Sequence, residues 1–210
     1  MRSLLVTINL LLLAAIIGVG FFWKPEPDRT PLPGTHAARM VADVQLAAQP
    51  VGGDFTLAGP RGPVSLHDFA GRLVLLQFGY TYCPDICPTS LTILGQALDS
   101  LTPGELAQIQ PLFVSVDPER DTVARLVEYT QFFHPAIVGL TGQPAALSEI
   151  AGRYGAVFVR HDGDSAGGYA IDHTALTYLI DRRGNLVGSL PHATPPEQLV
   201  AEIRKFLSTP

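Results

Sequence analysis

The chain contains two cysteines among 210 residues, Cys83 and Cys87, and both follow directly after an apolar run. Three residues separate them, which predicts that they lie at positions i and i+4 on the first turn of a helix, with both sulfurs on one face. Unpaired amide groups and the positive end of the helix dipole favour thiolate over thiol at such a place. Two soft anionic donors at one point can bind a metal ion, close into a disulfide, or do both.

The chemistry of the donors favours a metal, and copper above zinc. A disulfide closing so short a loop would constrain the unfolded chain little. Structural zinc normally takes four protein ligands, and the sequence has no third cysteine. Two thiolates and one imidazole would form a three-coordinate soft site that suits Cu(I) and is able to hold Cu(II). A lone histidine is a weak signal, so the assignment of His173 as the imidazole depends on the fold.

Alternating apolar runs and turn residues from residue 51 onwards predict one α/β domain at 51–210. The expected order is β-α-β, an inserted α-β-α and β-β-α, which is a thioredoxin-like fold. Residues 73–78 predict the buried strand before the cysteines, 161–172 a Gly- and Asp-rich loop, and 174–180 the strand after His173. In this fold the loop before the third central strand meets the first strand–helix junction, so we expect His173 opposite the cysteines.

Five stretches resemble the Sco (SenC/PrrC) family of copper-binding proteins, which help assemble the dinuclear copper centre of cytochrome c oxidase. They are residues 53–57, 78–89, 113–122, 139–142 and 172–181, and they include the CxxxC turn, SVDPERDT and DHT. The resemblance implies that Cys83, Cys87 and His173 are the copper ligands. It also implies a membrane-anchored metallochaperone, not an enzyme, whose partners are the copper-accepting oxidase subunit and an upstream copper donor or thiol reductase.

A membrane-anchored thiol-disulfide oxidoreductase is the alternative function. One cysteine would attack a partner disulfide and the other would resolve the mixed disulfide. Two points argue against this alternative: anchored reductases of this fold typically carry CxxC, and a purely redox role gives His173 no function. The two activities can coexist, because target cysteines must be reduced before they accept copper.

Several polar residues near these motifs have two interpretations each. Asp172 could orient His173 or cap a turn, and Asp85 could tune the cysteines or interact with the helix dipole. Asp117 and Glu119 could line the rim of the site or only form a proline-containing turn. His161 and His192 flank loops near the sheet ends, although the sequence favours a surface or core role for both.

Residues 1–23 predict an N-terminal transmembrane helix, because a run of about 20 apolar residues without charge spans a bilayer core. Arg2 before the run predicts that the domain is exported. A cleaved signal peptide is the competing interpretation, but its apolar region is usually about 7–15 residues long. Proline-rich residues 24–50 predict a tether. Without a transit peptide, we expect a single-pass protein of a bacterial inner membrane with its soluble domain in the periplasm.

The charge of the chain argues against nucleic acid as a partner. Its formal net charge is −5 at pH 7. Nucleic-acid-binding domains neutralise phosphates with clustered Lys and Arg, and no basic cluster of that kind occurs in the sequence. The expected partners are therefore copper, a membrane and other proteins.

Overall fold

A five-stranded mixed sheet with helices packed around it organises the part of the chain that the structure describes, residues 50–163 and 168–208 of a computed structural model. The strands are β1 (Thr56–Gly59), β2 (Gly62–Ser65), β3 (Leu73–Gly79), β4 (Ile109–Ser115), β5 (Val138–Leu140), β6 (Phe158–Asp162), β7 (Tyr169–His173), β8 (Leu176–Ile180) and β9 (Leu186–Pro191). The α-helices are α1 (Ile86–Asp99), α2 (Pro103–Leu106), α3 (Val123–Phe133), α4 (Pro144–Arg153) and α5 (Pro196–Leu207), and Leu66–Phe69 form a short 3-10 helix.

The strand order of the central sheet is β5-β4-β3-β8-β9. β3 pairs in parallel with β4, and β4 with β5, whereas β8 is antiparallel to both of its neighbours. Every residue of β3 and β4 is buried, which is why both strands appear in the sequence as nearly continuous apolar runs. The central elements follow the predicted β-α-β, α-β-α, β-β-α order, so the prediction of a mixed α/β fold is confirmed.

The predicted loop at 161–172 is wrong in part, because strands occupy both of its ends. β6 and β7 pair antiparallel in a two-stranded sheet of their own, with Phe158 opposite His173. Most of their residues are exposed or half-buried. Strands outside a central sheet bury few side chains and therefore lack a continuous apolar run. The polar residues of β6 and β7 are for this reason typical of a loop in the sequence. We call β6 and β7 together the histidine ribbon.

The predicted transmembrane helix at 1–23 and the predicted tether at 24–50 lie outside the described residues, apart from Pro50. Within ranges 50–163 and 168–208, none of the helices combines the length and the apolar character needed to cross a bilayer.

Candidate metal centre

The two cysteines lie where β3 passes into α1, in a segment whose residues 80–85 we call the cysteine turn. α1 begins at Ile86, so Cys83 precedes the helix and Cys87 is its second residue. The expectation that both lie on the first helical turn is therefore wrong for Cys83. The reason is local: Asp85 has a φ of −144°, outside the helical region, and α1 starts only after it. The sulfur of Cys83 still accepts a hydrogen bond from the amide of Cys87 at 3.4 Å.

The last residue of β3, Gly79, makes room for the deeper sulfur. A Cβ atom added there would lie 2.6 Å from Sγ of Cys87 and 2.8 Å from the ring of Phe113. Cys87 is only 3 % exposed, whereas Cys83 is half-buried. One sulfur is thus anchored in the core, and the other lies nearer the surface.

A buried carboxylate holds the cysteine turn. Asp121 is completely buried and accepts hydrogen bonds from the amide of Thr81 at 3.0 Å and its hydroxyl at 2.6 Å. It accepts a third from the hydroxyl of Ser115 at 2.6 Å. Burial raises the pKa of the Asp121 carboxyl. The next residue, Thr122, caps α3 by accepting from the amide of Arg125, whereas nothing in the sequence indicated the role of Asp121.

His173 is the last residue of β7 and points its ring at the cysteines. Its Nε2 atom lies 3.1 Å from Sγ of Cys87. Its Nδ1 atom is 3.2 Å from the carbonyl oxygen of Thr174. A carbonyl can only accept, so Nδ1 carries the proton and the lone pair of Nε2 faces the sulfurs. The ring of Tyr80 meets the imidazole edge-on, with 5.9 Å between centroids.

The ligand atoms of Cys83, Cys87 and His173 all lie within 4.8 Å of one another, and no other such group of His, Cys, Asp and Glu occurs in the described part of the chain. The hydrogen bond from the thiol of Cys87 is the largest cause that lowers the pKa of the Cys83 thiol, to about 3. The bond to Cys83 and burial raise the pKa of the Cys87 thiol. The pair therefore holds one thiolate and one thiol, and metal binding would release the remaining proton.

Asp172 does not orient His173. Its carboxylate lies 2.9 Å from Nε2 of His161, and the side chains of both residues are exposed. The acceptor that fixes the His173 ring is instead the backbone carbonyl of Thr174. A backbone acceptor gives no signal in the sequence, whereas the Asp172 side chain next to His173 does.

The remaining candidates lie at the edge of the site or have structural partners. Asp85 accepts a hydrogen bond from the hydroxyl of Thr89 at 3.2 Å, which supports its role at the helix start. His192 is bonded through Nδ1 to the hydroxyl of Ser90 at 2.7 Å. Ser90 lies one turn after Cys87 on α1, so His192 is a neighbour of the metal centre and not a member of it.

A central mixed sheet, a cysteine turn after its first long strand and a facing histidine define a thioredoxin-like α/β protein with a soft-metal site. The family model described as SCO1/SenC matches residues 43–208 of the chain. The chain belongs to the SCO1/SenC family, as the sequence motifs predicted.

Named relatives and solved structures agree with this assignment. A mitochondrial SCO2 homolog of Bos taurus is 37% identical over 206 residues, covering 94% of this chain and 75% of the relative. A SCO2-like protein of Rickettsia conorii is 32% identical over 197 residues, covering 93% and 94%.

Several of the similar structures contain copper. Yeast Sco1 with copper bound has 33% identity and a TM-score of 0.69, covering 76% of this chain and 90% of that one. Bradyrhizobium japonicum ScoI with copper bound has 36% identity and a TM-score of 0.68, covering 74% and 99%. The metal predicted from the donor set is thus the metal found in these relatives.

Proposed function

We propose that this protein is a copper metallochaperone. It binds one copper ion through Cys83, Cys87 and His173 and delivers it to the copper-accepting subunit of cytochrome c oxidase. The observation that carries the proposal is the convergence of three copper-compatible donor atoms within 4.8 Å. The copper-bound yeast and Bradyrhizobium relatives support the metal, and the oxidase as target follows from the family resemblance.

Unequal burial of the donors suits ligand exchange. Cys87 is buried in the core, whereas Cys83 and His173 are half-buried. A thiolate or imidazole of the acceptor would replace these two more exposed ligands before Cys87 releases the ion. The transfer has no turnover step, so the protein acts as a carrier and not as an enzyme.

A thiol-disulfide oxidoreductase is the second candidate, and one observation favours it. The lowered pKa of Cys83 keeps that sulfur a thiolate at neutral pH, next to Cys87 as a resolving thiol. Such a pair could reduce the cysteines of the copper acceptor before delivery. His173 separates the two functions, because thiol exchange needs only the sulfurs.

The decisive experiment measures copper on the full chain and three variants. Wild type should bind one copper per chain, and the Cys83→Ser/Cys87→Ser double variant should lose tight binding. His173→Ala should keep much of its Cu(I) affinity but lose Cu(II) and the visible thiolate-to-Cu(II) absorption. His192→Ala, which removes a neighbouring histidine, is the matched control and should behave as wild type.

Two outcomes would reject the copper role. One is equal copper retention by the double cysteine variant. The other is normal cytochrome c oxidase activity at limiting copper in cells carrying His173→Ala, which would favour the thiol reductase.

The location of the protein is part of the proposal. Residues 1–23 form an uncleaved anchor in a bacterial inner membrane, 24–50 a tether and 51–210 the copper-binding domain in the periplasm. The charge-free apolar run of the sequence supports this arrangement. Mass spectrometry of membrane-extracted protein should find the intact N-terminus, and a mature form beginning near residue 23 would contradict the anchor.

A further inference from the structure

The histidine ribbon packs against the hydrophobic core through one buried and two partly buried side chains, Ile171, Phe158 and Tyr169. Among the described residues of β6 and β7, only Ile171 is buried, at 7 % exposure. The ribbon holds the ring of His173 3.1 Å from the sulfur of Cys87 and within 4.8 Å of that of Cys83. With so few apolar side chains in the ribbon, its polar contacts are the next candidates for what holds this distance.

Three residues form a closed set of such contacts, which we call the arginine cluster: Asp117, Arg120 and Tyr169. Nε of Arg120 donates to Asp117, and Nη1 of Arg120 donates to the carbonyl oxygen of Tyr169 at 3.1 Å. The hydroxyl of Tyr169 donates to Asp117 at 2.6 Å. The guanidinium carbon of Arg120 lies 3.5 Å from the centre of the Tyr169 ring. The cluster thus joins the loop after β4 to the first residue of β7.

The cluster is well shielded from water. The side chains of Arg120 and Asp117 are 13 % and 2 % exposed. Desolvation, together with the hydrogen bond to Asp117, raises the pKa of Tyr169 to about 12, so its hydroxyl remains a donor at neutral pH. Charge-assisted bonds in such surroundings are stronger than bonds between neutral groups.

Arg120 also touches the cysteine side of the site. Its guanidinium carbon lies 4.6 Å from the ring centre of Tyr82 and 5.7 Å from that of Tyr80. The Tyr80 hydroxyl accepts from the amide of Ile171 at 3.2 Å, and the Tyr80 ring packs against His173. One guanidinium therefore contacts both the cysteine turn and the histidine ribbon.

We propose that Arg120 is a positioning residue that sets the distance between His173 and the two cysteine sulfurs. It acts through Tyr80 and Tyr169, whose rings its guanidinium contacts. The inference rests on the proposed copper function and deepens it: the arginine cluster determines whether the imidazole joins the thiolates at the metal.

The first test compares Arg120→Gln with wild type as full chains. Cu(II) affinity should fall by about 10- to 100-fold, the range seen when supporting partners of metal ligands are removed. Nitrogen coupling in the Cu(II) electron paramagnetic resonance spectrum should weaken, whereas Cu(I) affinity should hardly change. Arg160→Gln is the matched control: Arg160 also stacks on Tyr169, at 3.6 Å, but its side chain is 45 % exposed, so Cu(II) affinity should stay as in wild type.

A double-mutant cycle shows whether Arg120 acts through His173. His173→Ala should keep only weak Cu(II) binding by the two thiolates, and adding Arg120→Gln should not weaken it further, because the ligand that Arg120 positions is already gone. Additive losses, or equal losses of Cu(I) and Cu(II) affinity in the single variant, would overturn the proposal by showing a general effect on the fold.

Proton nuclear magnetic resonance without copper separates this proposal from the metallochaperone function. The cross-peak between the rings of Tyr80 and His173 should weaken in Arg120→Gln, while amides of α1 keep their protection. An unchanged cross-peak would overturn the positioning role, even if wild type bound no copper. If Arg120→Gln does not fold, the same cross-peak is measured in Tyr169→Leu, which leaves the pair of Arg120 and Asp117 in place. A weaker cross-peak would support the positioning role, and an unchanged one would overturn it.

Discussion

Different interactions hold the two sides of the site in place: the cysteine side, Cys83 and Cys87, and the histidine side, His173. Cys83 and Cys87 follow β3, whose seven residues are all buried, and Asp121 ties their turn to the core. His173 ends a two-stranded ribbon whose residues are mostly exposed or half-buried. The sulfurs are therefore held by the hydrophobic core, and the imidazole by a ribbon with few buried side chains, the ring of Tyr80 and polar contacts. A copper carrier benefits from this difference, because His173 can leave the metal while the cysteines still bind it.

Hydrogen exchange should reveal the largest difference between the two sides. Amides of β3 should open only with the whole domain, whereas those shared between β6 and β7 should open locally, so their exchange rates should differ by at least about 100-fold. Exchange of backbone amides in the copper-free full chain measures this directly. Equal protection in β3 and the histidine ribbon would break the comparison.

Gly79→Ala should damage the cysteine side. The added methyl group would overlap Sγ of Cys87 and the ring of Phe113, which predicts a loss of about 1–3 kcal/mol in the free energy of unfolding. Urea denaturation gives this value. Gly152→Ala is the control, since its methyl group meets nothing within 4 Å and lies in α4, where alanine should add about 0.5–1 kcal/mol. A neutral Gly79→Ala would mean that the core around Cys87 is not tightly packed.

Thr174→Val should affect the histidine side by a smaller amount. The Thr174 hydroxyl accepts from the amide of Val157 at 3.0 Å and donates to the carbonyl oxygen of the same residue at 3.3 Å, whereas the Thr174 carbonyl that orients His173 is retained. Both bonds of the hydroxyl are exposed, so their loss predicts about 0.5–1.5 kcal/mol in total. Amides of the histidine ribbon should exchange faster while those of β3 do not change. Equal acceleration in β3 would show that the two sides open as one unit.

Arg204→Gln should have the smallest effect, because it lies apart from both sides. The ion pair with Arg204 holds the pKa of Glu105 at about 2, below its ordinary value of 4.5. Folding therefore favours the ionised form; this stabilisation is present above pH 4.5 and lost as the pH falls towards 2. The pair is partly exposed, so the effect is small.

The stability gap between wild type and Arg204→Gln should thus be small at pH 7 and close between pH 4.5 and 2, with Arg204→Lys closer to wild type throughout. Thermal denaturation at several pH values measures it. Altered copper binding at pH 7 would contradict the separation of this pair from the site.

The sequence could predict the meeting of cysteines and histidine because topology determines it. Buried runs identify β3 and β8, and because β8 is antiparallel to β3, the segment before β8 lies beside the carboxyl end of β3. The position of the helix start was less predictable, since the backbone of Asp85 places Cys83 just outside α1. Cys87, inside α1, is the buried cysteine, and Cys83, before the helix, is half-buried.

The hydrogen bonds that hold the site together could not be predicted, because the two residues of each bond are distant in sequence. Thr81 and Asp121 are 40 residues apart, and Arg120 and Tyr169 are 49 apart. Each residue has a plausible local role in a turn or a helix cap, and nothing in a single sequence links it to its distant partner. The histidine ribbon was missed for a related reason, since exposed strands lack the apolar pattern that marks buried ones.

The contact between Cys87 and His173 joins positions 86 residues apart. A copper ion held there would act as a reversible cross-link that closes a long loop and removes conformations from the unfolded chain. Most of the domain, from β3 to β7, must be folded before all three donors meet. A misfolded or truncated chain could bind copper only through the two thiolates. Copper bound by all three donors would therefore identify a correctly folded carrier.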